Sequence, residues 1–140
     1  MLMYETFDHT ADLGLRIKAD DLPSLFADAA HALFDVIVDD LSLVQPQQVV
    51  DVNLQSDELV YLLFDWLNHL LFLFDAKGWL FSRFDVQVNE SACRLQGKAW
   101  GERLDPSRHV LAHEVKAITY HGLRIEQKEG GWLAEVIVDI

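Results

Sequence analysis

The span Phe7-Asp8-His9-Thr10-Ala11-Asp12 packs two carboxylates, an imidazole and a hydroxyl into six consecutive residues. Hard cations take oxygen ligands, and aspartate-rich turns supply them. The same residues suit an Asx-turn, in which Asp8 or Asp12 accepts local backbone N–H groups. A second candidate stands at the far end of the sequence, Val136-Ile137-Val138-Asp139-Ile140. Strand alternation puts Trp132, Ala134, Val136, Val138 and Ile140 on one face, and Leu133, Glu135, Ile137 and Asp139 on the other. If this strand ends beside Asp12, two carboxylates ~4 Å apart repel by about 4 kcal/mol at an effective dielectric near 20. A bound cation or a shared proton relieves that repulsion. A lone solvated acid is the competing reading of Asp139.

A third constellation runs from Arg108 to Gly122 and carries His109, His113 and His121 with Lys116. The histidines match no dependable zinc spacing, and a hydrogen-bonded structural role is the better reading. Lys116 shares a strand face with Ile118 and Tyr120 by alternation, as a snorkelling lysine or a counter-ion for the acids. Ser82, Ser91 and Ser107 lack a nucleophile-elbow context, and no phosphate-binding glycine loop occurs. Cys93 alternates into an apolar strand as a small core residue.

The elements that must position these groups follow from periodicity. Met3–Phe7 and Leu13–Ala19 read as strands. Asp20 or Asp21 caps a helix with Pro23 in its first turn and an apolar stripe from Leu22 to Ile37. Val50, Val52 and Leu54 alternate in a short strand. Ser56 then caps a second helix, Leu59 to Phe74, closed by Lys77-Gly78 and expected to be the most buried element. Strands follow at Phe81–Asn89 and Ala92–Trp100 around a Glu90-Ser91 turn, then a loop from Gly101 to His109. Val115–Tyr120, Leu123–Lys128 and Trp132–Ile140 complete the set, with Gly130-Gly131 as the last turn. The order predicts an α+β fold: a single domain over residues 1–140, two helices packed on mainly antiparallel sheet.

Bulk properties narrow the function classes. The chain has 140 residues, 51% hydrophobic and 11% aromatic, enough for one core and incompatible with disorder. Its net charge of −12 argues against direct nucleic-acid binding, which needs a cationic footprint. A single cysteine asks for no oxidising compartment, and no secretory leader is read at the N-terminus. The apolar run from Leu59 to Phe74 is interrupted by Asp65, Asn68 and His69, and is expected to be a core helix. The expected location is cytoplasmic, with no membrane partner.

Five segments together resemble the archease family: Phe7–Gly14 (FDHTADLG), Leu62–Asp75, Leu95–His109, Glu114–Leu123 and the terminal VIVDI. The resemblance spans the chain in order and size. It implies the archease fold and a non-catalytic accessory protein of the GTP-dependent RNA-splicing ligase of tRNA splicing and RNA repair, promoting the ligase's guanylylation and multiple turnover. It also implies a divalent cation, calcium first and manganese in the ligase complex, held by Asp12, Asp139 and main-chain oxygen of Ile140. His9 and Lys116 flank that site in the motifs. An acidic protein suits docking on a basic RNA enzyme, so RNA is met only through the ligase. Two other classes stay open. A metal-dependent phosphoester hydrolase would use Asp12 and Asp139 as ligands and His9 as base, and a chaperone-like interaction module would need no metal.

Overall fold

The computed structural model describes residues 4–9 and 12–140, with backbone alone for 7–9. Met3, Thr10 and Ala11 of the motifs above lie outside the described residues. The chain runs β1 (Tyr4–His9), β2 (Asp12–Ala19), α1 (Leu22–Ile37), β3 (Gln48–Gln55), α2 (Leu59–Lys77), β4 (Trp79–Asn89) and β5 (Arg94–Arg103). It ends with β6 (Ala117–Ile118), β7 (Arg124–Lys128) and β8 (Gly131–Asp139). This is the expected α+β class, with every pairing antiparallel.

The strands form two sheets. The larger has five strands ordered β1-β2-β8, with β6 and β7 both lying along the outer edge of β8. The smaller is β3-β5-β4. Leu15 and Ile17 of β2 and Ala134, Val136 and Val138 of β8 face the helices, while Arg16 and Glu135 face away, half-buried. Helix α1 touches both sheets, and one buried cluster joins them. Trp66 donates its indole N–H to the Phe26 carbonyl at 2.9 Å, a buried tie from α2 to α1.

Local chemistry explains most boundaries. Asp21 caps α1 through the Ser24 N–H, and Pro23 sits where its missing donor costs nothing. Gly78 ends α2 in the left-handed region at φ 72°, which glycine adopts without Cβ strain. The β7–β8 turn is Glu129-Gly130, one residue earlier than expected, with positive φ at both positions as a two-residue hairpin favours.

Several expectations are corrected. Ser56 does not cap α2: its N–H bonds the Cys93 carbonyl, and Glu58 occupies the cap without a side-chain bond. Helix α1 is more buried than α2, with ten of sixteen residues in the core against seven of nineteen. The helix α2 is by length and composition long and apolar enough to cross a membrane. Its Leu62, Leu63, Trp66, Leu67 and Leu70 are nevertheless fully buried in the core. The strand expected over Val115–Tyr120 shrinks to Ala117–Ile118, so Lys116 is exposed while Ile118 is buried. Cys93 is buried as expected, yet it sits in the β4–β5 turn at φ 51°.

Gly101 marks the closest backbone approach. Strand β4 bulges between Phe81 and Arg83, and a Cβ on Gly101 would lie 1.8 Å from the Leu80 carbonyl oxygen. Backbone cannot yield as a side-chain tip does. Gly101→Ala is therefore expected to lower unfolding free energy by about 2–3 kcal/mol in urea titration, as overpacking does. An unchanged midpoint would show that the bulge relaxes freely.

Candidate functional site

Strand register assembles one row across the end of the larger sheet. His9 pairs with Asp12, Asp12 with Asp139, and Asp139 with Ala117. The Lys116 amide donates to the Asp139 carbonyl at 2.7 Å. In a regular strand a residue's N–H and C=O point to the same side, so Asp139 turns its backbone toward β6. Asp12 and Asp139 are then a non-hydrogen-bonded pair, with Cα atoms roughly 4.5 Å apart and side chains at their closest. Both are half-buried and project from the face opposite the core.

Each residue singled out in the sequence has a place here. Asp12 and Asp139 are brought together from opposite ends of the sequence. Ile140 follows Asp139 and packs its side chain against the core. Lys116 adjoins the row through its amide, with its side chain exposed. His9 is in register with Asp12, while its side chain lies outside the described residues.

The donor set is all oxygen, two carboxylates and a main-chain group, which suits a hard cation better than zinc. Among the described residues, no group of three or more His, Cys, Asp or Glu side chains is placed to hold a metal. A cation here would have to complete its shell with water or a partner's oxygens.

The next polar row below is neutralised by the protein itself. Arg16 bridges Glu5 at 2.7 Å and Glu135 at 2.6 Å, and Arg124 bridges Glu135 at 2.6 Å and Glu126 at 3.2 Å. Burial works to raise the Glu135 carboxyl, but Arg16 and Arg124 outweigh it and hold it below the usual range. This ladder crosses β1, β2, β8 and β7, in the same register that sets Asp12 opposite Asp139.

The histidine constellation does not converge. His109 is buried: its Nδ1 accepts the Asp105 N–H at 2.9 Å, and its Nε2 therefore donates to Glu102, also at 2.9 Å. Glu102 further accepts from the Arg108 guanidinium at 2.6 Å and the Gln45 N–H at 2.9 Å. This is the hydrogen-bonded structural role expected for a histidine. His113 and His121 are exposed. A groove of about 730 Å³ runs beside Ser24, Asp51, Phe84 and Lys98, and none of the row's residues line it.

The aromatic cluster of Tyr61, Phe64 and Tyr120 was not singled out from sequence. Its signal in the sequence was Tyr61, which lies off the Leu59, Leu62, Leu63, Trp66 stripe of α2.

A model of the Archease protein family matches residues 4–140. The chain belongs to the archease family. Protein archease of Methanopyrus kandleri is 42% identical over 139 residues, which cover 98% of this chain and 99% of that one. Protein archease of Sulfurisphaera tokodaii is 40% identical over the whole of both chains. The solution structure of a Methanobacterium thermoautotrophicum protein superposes with a TM-score of 0.86 at 40% identity, covering 98% of each chain. A Thermotoga maritima protein, described as an archease and possible chaperone, shares the fold with a TM-score of 0.65 at 20% identity, over 99% of this chain and 98% of that one.

The Glu102 network carries a pH dependence. Burial favours the neutral acid, yet Arg108, the Gln45 amide and His109 prevail and lower the carboxyl from 4.5 to about 2. The folded value lies below the unfolded one, so this contribution is complete above about pH 4.5 and is lost as pH falls toward about 2. Glu102→Gln should therefore be less stable at neutral pH and show a shallower loss of stability across that window. Parallel acid-unfolding slopes for the two proteins would contradict the assignment.

Proposed function

We propose that this chain is a non-catalytic activator of the GTP-dependent RNA-splicing ligase, acting through the acidic row at the end of its larger sheet. The observation that carries the reading is the Asp12–Asp139 register pair, formed by the two segments most characteristic of the family resemblance. Two carboxylates side by side on adjacent strands are oxygen ligands that one hard cation can share. Asp12, Asp139 and the main-chain oxygen of Ile140 would hold a divalent cation, with calcium the best fit and manganese an alternative in the ligase complex. Such an ion supplies charge neutralisation between the carboxylates and a bridge to a partner's oxygens. The chain's own part is to hold the two carboxylates on adjacent strands and to fix Asp139 through the Lys116 amide.

The net charge of −12 supports docking on a basic RNA-binding enzyme, where opposite fields speed association and like-charged RNA is left to the ligase. Docking would present the row to the ligase's nucleotide-bearing centre and favour its guanylylation and repeated turnover. The phosphoester hydrolase reading needs turnover without a ligase. The chaperone-like reading, a description given to the Thermotoga relative, makes the acidic row dispensable.

Asp12→Ala and Asp139→Ala are each expected to cut stimulation of ligase guanylylation and multiple-turnover ligation by at least about tenfold, with the thermal midpoint within a few degrees of wild type. Calcium and manganese titrations of both variants should lose the metal-dependent part of the response. Full stimulation by either variant would overturn the proposal, and phosphoester turnover by the protein alone would favour the hydrolase.

A further inference from the structure

Tyr61, Asp65, Asn68 and Phe72 recur at helical spacing along the outward side of α2, and Phe64 flanks them. Tyr61 is 43% exposed and Phe72 52%, large for aromatic rings on a helix whose opposite side is core. Tyr120, 62% exposed, lies over this stripe. Its ring stacks on Phe64 with centroids 4.0 Å apart and planes at 14°, and Tyr61 meets it edge-on at 6.3 Å. The stacking holds the Tyr120 ring in place while most of its surface stays open to solvent.

Carboxylates line the stripe, with Lys77 the basic side chain at its C-terminal end, near the His69 ring that stacks on Phe72. Asp65 is half-buried at this face, Asp75 lies further along the helix, and Glu114 approaches Asp75 from the loop before β6. None of the three side chains makes an ion pair or hydrogen bond among the described residues, which separates them from the neutralised ladder of the larger sheet. Burial pushes the Asp65 carboxyl up, and burial together with Glu114 does the same for Asp75. Elsewhere the protein covers aromatic faces with its own guanidinium groups: Arg103 lies 4.5 Å from the Trp79 ring centre and Arg83 5.3 Å from that of Trp100. The α2 stripe combines open aromatic faces with uncompensated carboxylates and has no arginine of its own.

We propose that the stripe formed by Tyr61, Phe64, Asp65, Phe72 and Tyr120 is a docking surface for an arginine-bearing, basic segment of a protein partner. A guanidinium stacks on a ring face and pairs with a carboxylate at the same time, which matches this juxtaposition of groups. Other occupants fit less well. A second copy brings −12 against −12. A nucleic-acid base on Tyr120 brings its phosphates toward Asp65. A membrane surface favours lysine and arginine beside aromatic rings, where this face has aspartates.

The partner's identity rests on the activator reading above; the chemistry of the surface does not. The test measures binding of the GTP-dependent RNA ligase to wild type, Tyr120→Ala, Asp65→Asn and Glu90→Gln at two salt concentrations. Tyr120→Ala and Asp65→Asn should each raise Kd by about tenfold, the size of an interface hot spot, with binding weaker at high salt. Glu90→Gln, which removes an exposed carboxylate from the β4–β5 turn, should bind as wild type does. Stripe variants that bind as wild type does would overturn this proposal and leave the activator reading standing. If wild type does not bind the ligase, the activator reading falls. An NMR titration with an Arg-Gly-Arg-Gly-Arg peptide then decides the stripe. Shifts of the Tyr120 and Phe64 ring signals, lost in Asp65→Asn, would support it, and unmoved ring signals would overturn it.

Discussion

The antiparallel pairing of β2 with β8 is the constraint on which the rest depends. It joins the two ends of the sequence in an eight-residue register from Asp12↔Asp139 to Ala19↔Trp132. A slip of one residue would turn either Leu15 and Ile17 or Val136 and Val138 away from the helices, and move Arg16 or Glu135 into the core. The apolar pattern thus sets the register, and the register sets the acidic row. The charged ladder built on Arg16 and Glu135 adds geometric definition on the solvent side, where hydrophobic pattern has no say. Paired acids at the strand ends are a by-product of burying the right residues several positions away.

The fold separates two kinds of electrostatics. The Glu102–Arg108–His109 hub and the Arg16–Glu135 ladder are internally compensated, with Glu102 and Glu135 matched to donors at 2.6–2.9 Å. On the α2 stripe, by contrast, Asp65 and Asp75 make no ion pair or hydrogen bond among the described residues.

Much of this was legible in the sequence because period-2 and period-3.6 patterns report burial directly. The alternation of β2 and β8, the Asp21 cap and the Gly78 stop each express a local rule that tertiary structure left alone. The Asp12–Asp139 pairing could be framed as a condition, since both lie at ends of alternating strands, but it takes the register to meet it. The misreadings have a common cause. Ser56 looked like a cap until the β4–β5 turn claimed its amide, and α2 looked central because apolar residues circle it. Composition does not distinguish an aromatic ring that enters the core from one that stacks on a neighbour at the surface, as Tyr120 does on Phe64. Nor could sequence say that the strands divide into two sheets, which depends on how α1 spans both.

The segment between β5 and β6 leads from the buried hub to the acidic row. On its way it supplies main-chain bonds to the end of α1: Ala112 donates to the Ile37 carbonyl at 2.8 Å, His113 to Val36 at 3.2 Å, and Asp39 donates to Val110 at 2.8 Å. Terminal helix carbonyls lack partners of their own, so this strap completes α1 before its next amides reach Asp139. Because the attachment is made by backbone, the exposed side chains of Val110, Leu111 and His113 are free to diverge among relatives. The strap's N–H groups are not. Proline at its donor positions would remove those N–H groups and loosen the end of α1.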